Sequence, residues 1–136
     1  MTDTLTPEKR SEVMSRIRGK DTKPEFLVRE KLFGMGYRYR LHAAKLPGRP
    51  DMVFPSRKKA IFVHGCFWHG HRGCSNARIP KSRVEFWQEK ISGNKKRDAR
   101  DHRRLGRLGW RSIVIWECET QKDGWVGKVI LFLEEP

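Results

Sequence analysis

Residues 46–74 hold most of the chemically reactive side chains of this 136-residue chain, and they limit how it can fold. Residues 53–54 and 60–63 are short runs rich in β-branched and aromatic side chains, and residues 55–58, Pro-Ser-Arg-Lys, are typical of a turn. The pattern predicts a β-hairpin. Its strands would bring Asp51, at the start of one strand, near His64, at the end of the next.

This placement has a chemical use. An acidic residue at a strand start can hold a divalent cation while a residue on the adjacent strand meets a phosphate. A solvated loop aspartate is the simpler interpretation of Asp51 alone. Its surroundings favour a functional cluster, because the strand that ends in His64 is followed closely by Cys66, His69, His71 and Cys74.

The cysteines indicate a metal site. Cys66, His71 and Cys74 lie within nine residues, which suits a loop folded around one tetrahedral ion, and Cys118 can supply a fourth ligand from a distant strand. This set uses every cysteine of the chain, so we expect structural Zn²⁺. Three buried thiols that pack as small apolar side chains are the alternative.

Several segments closely resemble the very short patch repair (Vsr) endonucleases, bacterial enzymes that nick DNA beside a T:G mismatch. They are Leu-Pro-Gly-Arg-Pro-Asp at 46–51, Phe-Val-His-Gly-Cys-Phe-Trp-His at 62–69, Phe-Trp at 86–87, Arg-Asp at 97–98, Gly-Trp at 109–110 and Trp-Glu-Cys at 116–118. The resemblance runs from about Arg10 to Cys118. It implies an α/β, restriction-endonuclease-like fold, a mixed central sheet flanked by helices, and Mg²⁺-dependent, strand-specific nicking beside T:G pairs formed by deamination of 5-methylcytosine.

The resemblance also implies roles for individual residues. Asp51 would bind Mg²⁺ with the backbone carbonyl of Val63, which stands where the better-known members carry threonine. We assign His69 as the general base, supported by Asp98. His64 replaces the lysine more usual in this fold class and would contact the phosphate or a metal-coordinated water.

One departure from the family pattern concerns the metal site. Gly73 is an extra residue between His71 and Cys74, so His71 could be displaced as a ligand. His69 is the nearby substitute, but we assign it to catalysis.

The predicted helices carry the remaining site residues. Residues 21–25 begin a helix to about Met35, with Phe26, Leu27, Leu32 and Phe33 as its expected core residues. Glu25 completes a capping box with Thr22, a structural role, whereas the resemblance places Glu25 in the active site. We expect catalysis.

A long helix is predicted over residues 82–108, with a capping box at Ser82 and an end at Gly109. Seven-residue steps from Val84 reach Asp98 on the apolar stripe, where a carboxylate needs a partner such as a catalytic histidine. A solvated Asp98 at the edge of the stripe is the alternative. The opposite face is basic and would track phosphates, with Lys95, Lys96, Arg97, Arg100, Arg103, Arg104 and Arg107. A central buried strand over residues 111–116 and a final helix over residues 125–133 follow.

Recognition of a mismatch requires an opened duplex. Phe67 and Trp68 lie in a polar loop between an expected zinc ligand and an expected catalytic histidine, and with Trp87 they would wedge into the base stack. Three core aromatics are the alternative. From the sequence alone, residues 1–20, with Met14 on their apolar side, could form either an arm or a frayed solvated helix. The resemblance implies an arm that clamps the duplex. Residues 21–136 would form a single endonuclease domain.

The charge balance selects the class of partner. Thirty Lys plus Arg against sixteen Asp plus Glu give a net charge of +14, which favours a polyanionic partner such as nucleic acid. The resemblance implies that this partner is double-stranded DNA with a T:G mismatch. There is neither an apolar run of spanning length nor the apolar core of a signal peptide, so we expect a cytoplasmic protein. We further expect a nucleoid-associated monomer, with mismatch-repair proteins as candidate partners. The competing class is a non-catalytic, zinc-stapled DNA-binding protein. A basic RNA-binding protein would explain the charge but not the histidines and carboxylates.

Overall fold

The computed structural model describes residues 22–41 and 43–136. The predicted DNA-clamping arm, with Met14, lies outside this part of the chain. The described residues form helices and strands in the order α1 (Lys23–Gly34), β1 (Arg40–Leu41), β2 (Met52–Phe54), β3 (Lys59–His64), α2 (Val84–Arg107), β4 (Arg111–Trp116) and α3 (Gly124–Glu134). Short 3₁₀ helices occupy Ser75–Ala77 and Glu117–Gln121.

The strands form a mixed four-stranded sheet in the order β1-β2-β3-β4. The predicted hairpin is confirmed, since β2 and β3 pair antiparallel with Met52 opposite Ile61. β3 and β4 pair parallel, with His64 opposite Trp116. A parallel pair needs a long crossover connection, and α2 provides it. The mixed sheet with flanking helices agrees with the predicted α/β class.

The two faces of β3 have different neighbours. Ile61 and Val63 join the main apolar core, which contains residues of α1 and α3 such as Val28 and Val129. Side chains alternate along a strand, so Phe62 and His64 point to the opposite face, where Phe62 meets His102 of α2. The second face therefore carries His64 and its imidazole neighbour His102, while the first contributes to the main apolar core.

Buried Lys59 anchors the end of α3. Its ammonium donates hydrogen bonds to the carbonyl oxygens of Phe132, Leu133 and Glu135. Carbonyl groups at a helix C-terminus lack partners within the helix and carry partial negative charge, so a cation there is stabilising. This contact ties the last helix to the hairpin that leads into the site.

Some predicted features differ in the structure. In α1 the residues expected in the core, Phe26, Leu27 and Phe33, are 51%, 41% and 53% exposed. The buried face is instead spaced i, i+3, i+4, i+7 and is formed by Glu25, Val28, Arg29 and Leu32. The prediction is confirmed for Leu32 and is wrong for the other three residues, because an ion pair between Glu25 and Arg29 allows two charged side chains to be buried.

The C-terminal half contains two further differences. α2 begins at Val84 with no side-chain cap, so the capping box predicted at Ser82 is wrong, although Gly109 ends the helix in a left-handed conformation as expected. β4 has the predicted bounds, yet it lies at the end of the described strand order and its only buried residue is Ile115. No helix in the described ranges has both the length and the apolar character needed to cross a bilayer.

Candidate active site and neighbouring metal centre

The loop after β3 folds back on itself and separates two sets of side chains. The Cys66 N–H donates to the Glu117 carboxylate at 3.2 Å, and the His71 N–H donates to the Cys66 carbonyl at 2.9 Å. Gly70, with φ +60°, lies against α2, and a Cβ there would approach Ile91 to 2.7 Å. Glycine is therefore required for this close turn.

Cys66, His71, Cys74 and Cys118 form the first set, called here the thiol cluster. Their ligand atoms all lie within 4.8 Å of one another, so the cluster could hold a metal ion. Burial raises the pKa of the Cys66 thiol to about 12, which a bound cation would counter by stabilising the thiolate. Three sulfurs and one imidazole nitrogen are a donor set typical of structural Zn²⁺.

The extra residue at position 73 does not remove His71 from the thiol cluster. Gly73 has φ +73°, and no other side chain or backbone atom approaches its Cβ position within 4 Å. The additional residue is taken up in an open turn. His71 Nδ1 lies 3.4 Å from the Cys118 sulfur.

His64, His69 and Asp98 form the second set, called here the imidazole cluster. His69 Nδ1 donates to an oxygen of Asp98 at 2.7 Å, so the carboxylate predicted on the helix stripe does face a histidine. The rings of His64 and His69 stack with centroids 3.7 Å apart and planes 7° from parallel. Burial opposes ionisation of Asp98, but the hydrogen bond and charge of His69 lower its pKa overall. Asp98 is therefore an ionised carboxylate that fixes the His69 ring.

The imidazole cluster is also compact enough to be considered as a metal site, with ligand atoms within 4.8 Å. Its geometry suits proton transfer better. The lone pair of an imidazole nitrogen lies in the ring plane, and the lone pairs of two stacked, nearly parallel rings do not converge on one ion. Burial, and then the charge of His69, lower the pKa of His64 to about 3. His64 is consequently neutral beside His69.

Asp51 lies with Glu25 rather than in the imidazole cluster. An Asp51 oxygen accepts the Val63 N–H at 2.6 Å. Burial, and next the Glu25 carboxylate, raise the pKa of Asp51 to about 7. Two neighbouring carboxyl groups are suitable oxygen donors for Mg²⁺, which would favour their ionised forms.

Glu25 makes the anticipated contact with Thr22 at the start of α1, and its other carboxyl neighbour is Asp51. Its backbone N–H donates to the Thr22 hydroxyl oxygen at 3.5 Å, and that hydroxyl donates to the Glu25 carboxylate at 3.2 Å. Arg29 pairs with the other carboxylate oxygen at 2.9 Å. The Thr22 hydroxyl therefore caps α1, while the Glu25 carboxylate accepts from that hydroxyl and from Arg29 and also acts on Asp51. The pairing of β2 with β3 places Asp51, directly before β2, and His64, the last residue of β3, at the same end of neighbouring strands, as predicted. The Asp51 side chain contacts Val63 and Glu25, however, and the charges that act on His64 are those of His69, Asp98 and His102.

Trp116 separates the two clusters. The ring of His71 stacks on it at 4.1 Å between centroids, and His64 meets it edge-on at 5.3 Å. We did not predict this role from the sequence. The role depends on the parallel register of β3 and β4, which places Trp116 opposite His64 and which the sequence does not display.

A cavity of about 350 Å³ opens beside the imidazole cluster. Besides the cluster residues it is lined by two cationic side chains, Arg72 and Lys95, and by His102. His102 was also missed by sequence reasoning, although it follows Asp98 by four residues and therefore shares its helix face.

The three predicted wedge residues form one aromatic group. Phe67 and Trp68 have ring centroids 5.0 Å apart, and Trp87 lies 5.3 and 5.9 Å from them. All three are half-buried, and none belongs to the main core cluster. Lys95, Lys96 and Arg100 are exposed on α2, as the predicted phosphate-tracking face requires.

Comparison with known proteins identifies the family. The family model for DNA mismatch endonuclease Vsr matches residues 2–75. A type II nicking enzyme from Xanthomonas oryzae pv. oryzae is 53% identical over 124 residues, which cover 91% of this chain and 90% of the relative. A type II nicking enzyme from Neisseria meningitidis serogroup A is 49% identical, with 89% and 86% covered. The DNA mismatch endonuclease Vsr of Escherichia coli is 45% identical, with 87% and 75% covered. The chain belongs to the Vsr family of DNA mismatch endonucleases.

Proposed function

We propose that this chain is a Mg²⁺-dependent endonuclease that nicks one strand of DNA beside a T:G mismatch formed by deamination of 5-methylcytosine. The observation that carries the proposal is the imidazole cluster, in which a carboxylate fixes one of two stacked histidines at the edge of a cavity with cationic walls. A general base oriented by a third group is the arrangement that hydrolysis requires. Membership in the Vsr family gives the chemistry a substrate class.

The proton is handled by His69. Asp98 holds its Nδ1–H, which leaves Nε2 free to accept a proton from the attacking water. Neutral His64 contacts the phosphate or the water, and Glu25 acts with Asp51 at the cation site. Asp51 and the carbonyl of Val63 would hold Mg²⁺. When bound, this ion supplies the positive charge that stabilises the phosphoryl oxygens and makes a coordinated water more acidic.

The thiol cluster holds structural Zn²⁺ in this proposal. Its donor chemistry fits, since three sulfurs and one imidazole nitrogen lie within 4.8 Å of one another. Cys66, His71 and Cys74 come from one loop, and Cys118 comes from the segment after β4. Zn²⁺ would thus join two parts of the chain that lie far apart in sequence and would stabilise a small domain.

Binding is divided between two surfaces. The aromatic group of Phe67, Trp68 and Trp87 wedges into the weakened base step, and the basic face of α2 contacts phosphates. We further propose that residues 1–20, with Met14, clamp the duplex. The protein would act as a monomer in the cytoplasm, on the nucleoid, with mismatch-repair proteins as candidate partners.

The direct experiment incubates the metal-loaded protein with T:G, other mismatched and fully matched duplexes, with and without Mg²⁺. We expect a single nick in one strand of the T:G duplex only when Mg²⁺ is present. Asp51→Asn should lose nicking and keep binding. A non-catalytic DNA-binding protein would instead bind all of these duplexes without cutting, and Asp51→Asn would change nothing.

Recognition needs a separate test. Trp68→Ala should weaken binding to a T:G duplex by roughly 1–3 kcal/mol and should change binding to a matched duplex much less. The salt dependence should stay nearly constant because the phosphate contacts remain. Equal losses on both duplexes together with a lower melting temperature would assign Trp68 to packing.

A further inference from the structure

His102 lines the cavity beside the imidazole cluster, and neither the sequence motifs nor the proposed chemistry gives it a role. It lies one helical turn after Asp98 on α2 and lines the same cavity as His64 and His69. Its ring is 4.6 Å from that of Phe62 and 6.4 Å from that of His64, measured between centroids. The ring is therefore close to the proposed site of hydrolysis but outside the stacked pair.

The orientation of the His102 ring is fixed on one side. Its Nδ1 lies 2.8 Å from the hydroxyl oxygen of Ser112 on β4, and Phe62 supports the ring face. Within the described part of the chain, Nε2 makes no hydrogen bond, and it is not a buried atom. The structure thus holds the ring in place and leaves one polar atom available at the cavity.

The surroundings of His102 favour an anionic ligand. Arg72 and Lys95 line the same cavity, while the nearby carboxylates of Asp98 and Asp101 are engaged by His69 and Arg100. Burial lowers the pKa of His102, with Asp98 and then Asp101 opposing the shift, so the ring is neutral at neutral pH. When the Ser112 hydroxyl donates to Nδ1, the proton of the neutral ring is on Nε2, which is then a donor.

We propose that Nε2–H of His102 donates a hydrogen bond to a non-bridging oxygen of the scissile phosphate, and that Ser112 sets the tautomer that makes this possible. The inference rests on the proposed endonuclease function and adds a substrate contact to it. His102 would hold the phosphate against the cationic wall of the cavity while His69 acts on the water.

The test compares His102→Leu, which removes the donor, with His102→Gln, which retains an N–H donor, and with Ser112→Ala. On a T:G duplex with Mg²⁺, His102→Leu should lower kcat/KM about 10- to 100-fold, the range expected for a hydrogen bond to a charged group. His102→Gln should recover part of this loss, and Ser112→Ala should fall between wild type and His102→Leu. Metal content and melting temperature are measured on each variant.

A readout without DNA separates this inference from the proposed function. The ¹⁵N resonance of His102 Nε2 in the wild-type, metal-loaded protein is followed by NMR during titration with inorganic phosphate. A shift of this resonance that saturates, together with the kinetic pattern above, supports the contact. An unshifted resonance, or a His102→Leu variant with wild-type kcat/KM, overturns it. If the wild-type protein nicks no mismatched duplex, it is the proposed function that fails.

Discussion

The thiol cluster and the imidazole cluster both include residues of the loop after β3, and both have ligand atoms within 4.8 Å, yet their geometries suit different chemistry. In the thiol cluster, three sulfurs and one nitrogen of the His71 ring lie within 4.8 Å of one another, a donor set that suits a tetrahedral ion. In the imidazole cluster, the His64 and His69 rings lie parallel at 3.7 Å, and one nitrogen is occupied by Asp98. The direction of the lone pairs, more than proximity, separates a metal centre from a proton-transfer site.

The clusters also differ in what they connect. The thiol cluster joins the loop after β3 to Cys118, beyond β4, and so closes a long stretch of chain. The imidazole cluster joins the same loop to α2 through the 2.7 Å hydrogen bond between His69 and Asp98. Loss of the first should affect folding, and loss of the second should affect chemistry.

The largest expected effect follows removal of a thiol ligand. Cys118→Ser should abolish metal retention and unfold or severely destabilise the domain, because structural Zn²⁺ in small peptides binds with ~10 to 16 kcal/mol. Elemental analysis and thermal melting measure both effects, and the wild-type protein should contain about one tightly held ion per chain. Asp98→Asn is the matched control and should keep its metal and its fold. A folded, metal-free wild-type protein would show that the thiol cluster is not a metal centre.

A smaller effect is expected at the residue between the clusters. Trp116→Leu removes the edge-on contact with His64 and the stack with His71, and aromatic contacts of this kind contribute ~0.5–1.5 kcal/mol beyond buried area. We expect kcat to fall up to about tenfold while the metal stays bound. Trp116→Phe should lose less. Nicking kinetics and metal content are measured together. Loss of the metal in Trp116→Leu would contradict the prediction and would show that Trp116 stabilises the thiol cluster.

A third prediction concerns the dependence of stability on pH. Folding lowers the pKa of His64 from its ordinary value of 6.5 to about 3, chiefly through burial, so the unfolded chain binds this proton more readily. The associated stability is complete above about pH 6.5 and is lost as the pH falls toward 3, with about 2 kcal/mol gone by pH 5. Chemical denaturation of wild type and His64→Gln between pH 5 and 7 isolates this contribution from metal release, which both proteins share. Identical pH dependence in the two proteins would argue against a buried, neutral His64.

Local patterns predicted the parts of the molecule that depend on local interactions. Turn residues between two apolar runs were enough for the hairpin, and Gly109 was enough for the end of α2. A carboxylate on an apolar stripe needs a partner, which is why the contact of Asp98 with a histidine could be anticipated. The roles of these residues remain predictions.

Contacts that the apolar pattern of the sequence does not encode account for what was missed. The buried face of α1 could not be read from its apolar residues, because Glu25 and Arg29 compensate each other in the interior. The position of β4 at the end of the described strand order depends on pairing, which the composition of a strand does not encode. Trp116 and His102 acquire their importance only when β4 and α2 pack beside β3.

The measurement that tests the division of labour most directly uses His69→Ala, with metal content, melting temperature and T:G nicking determined on one preparation. We expect a full complement of metal, a melting temperature near that of wild type, and nicking reduced about 10²- to 10⁴-fold, the usual contribution of a general base. Nicking at the wild-type rate would contradict the assignment of the imidazole cluster to chemistry. Loss of the metal would contradict the separation of the two clusters.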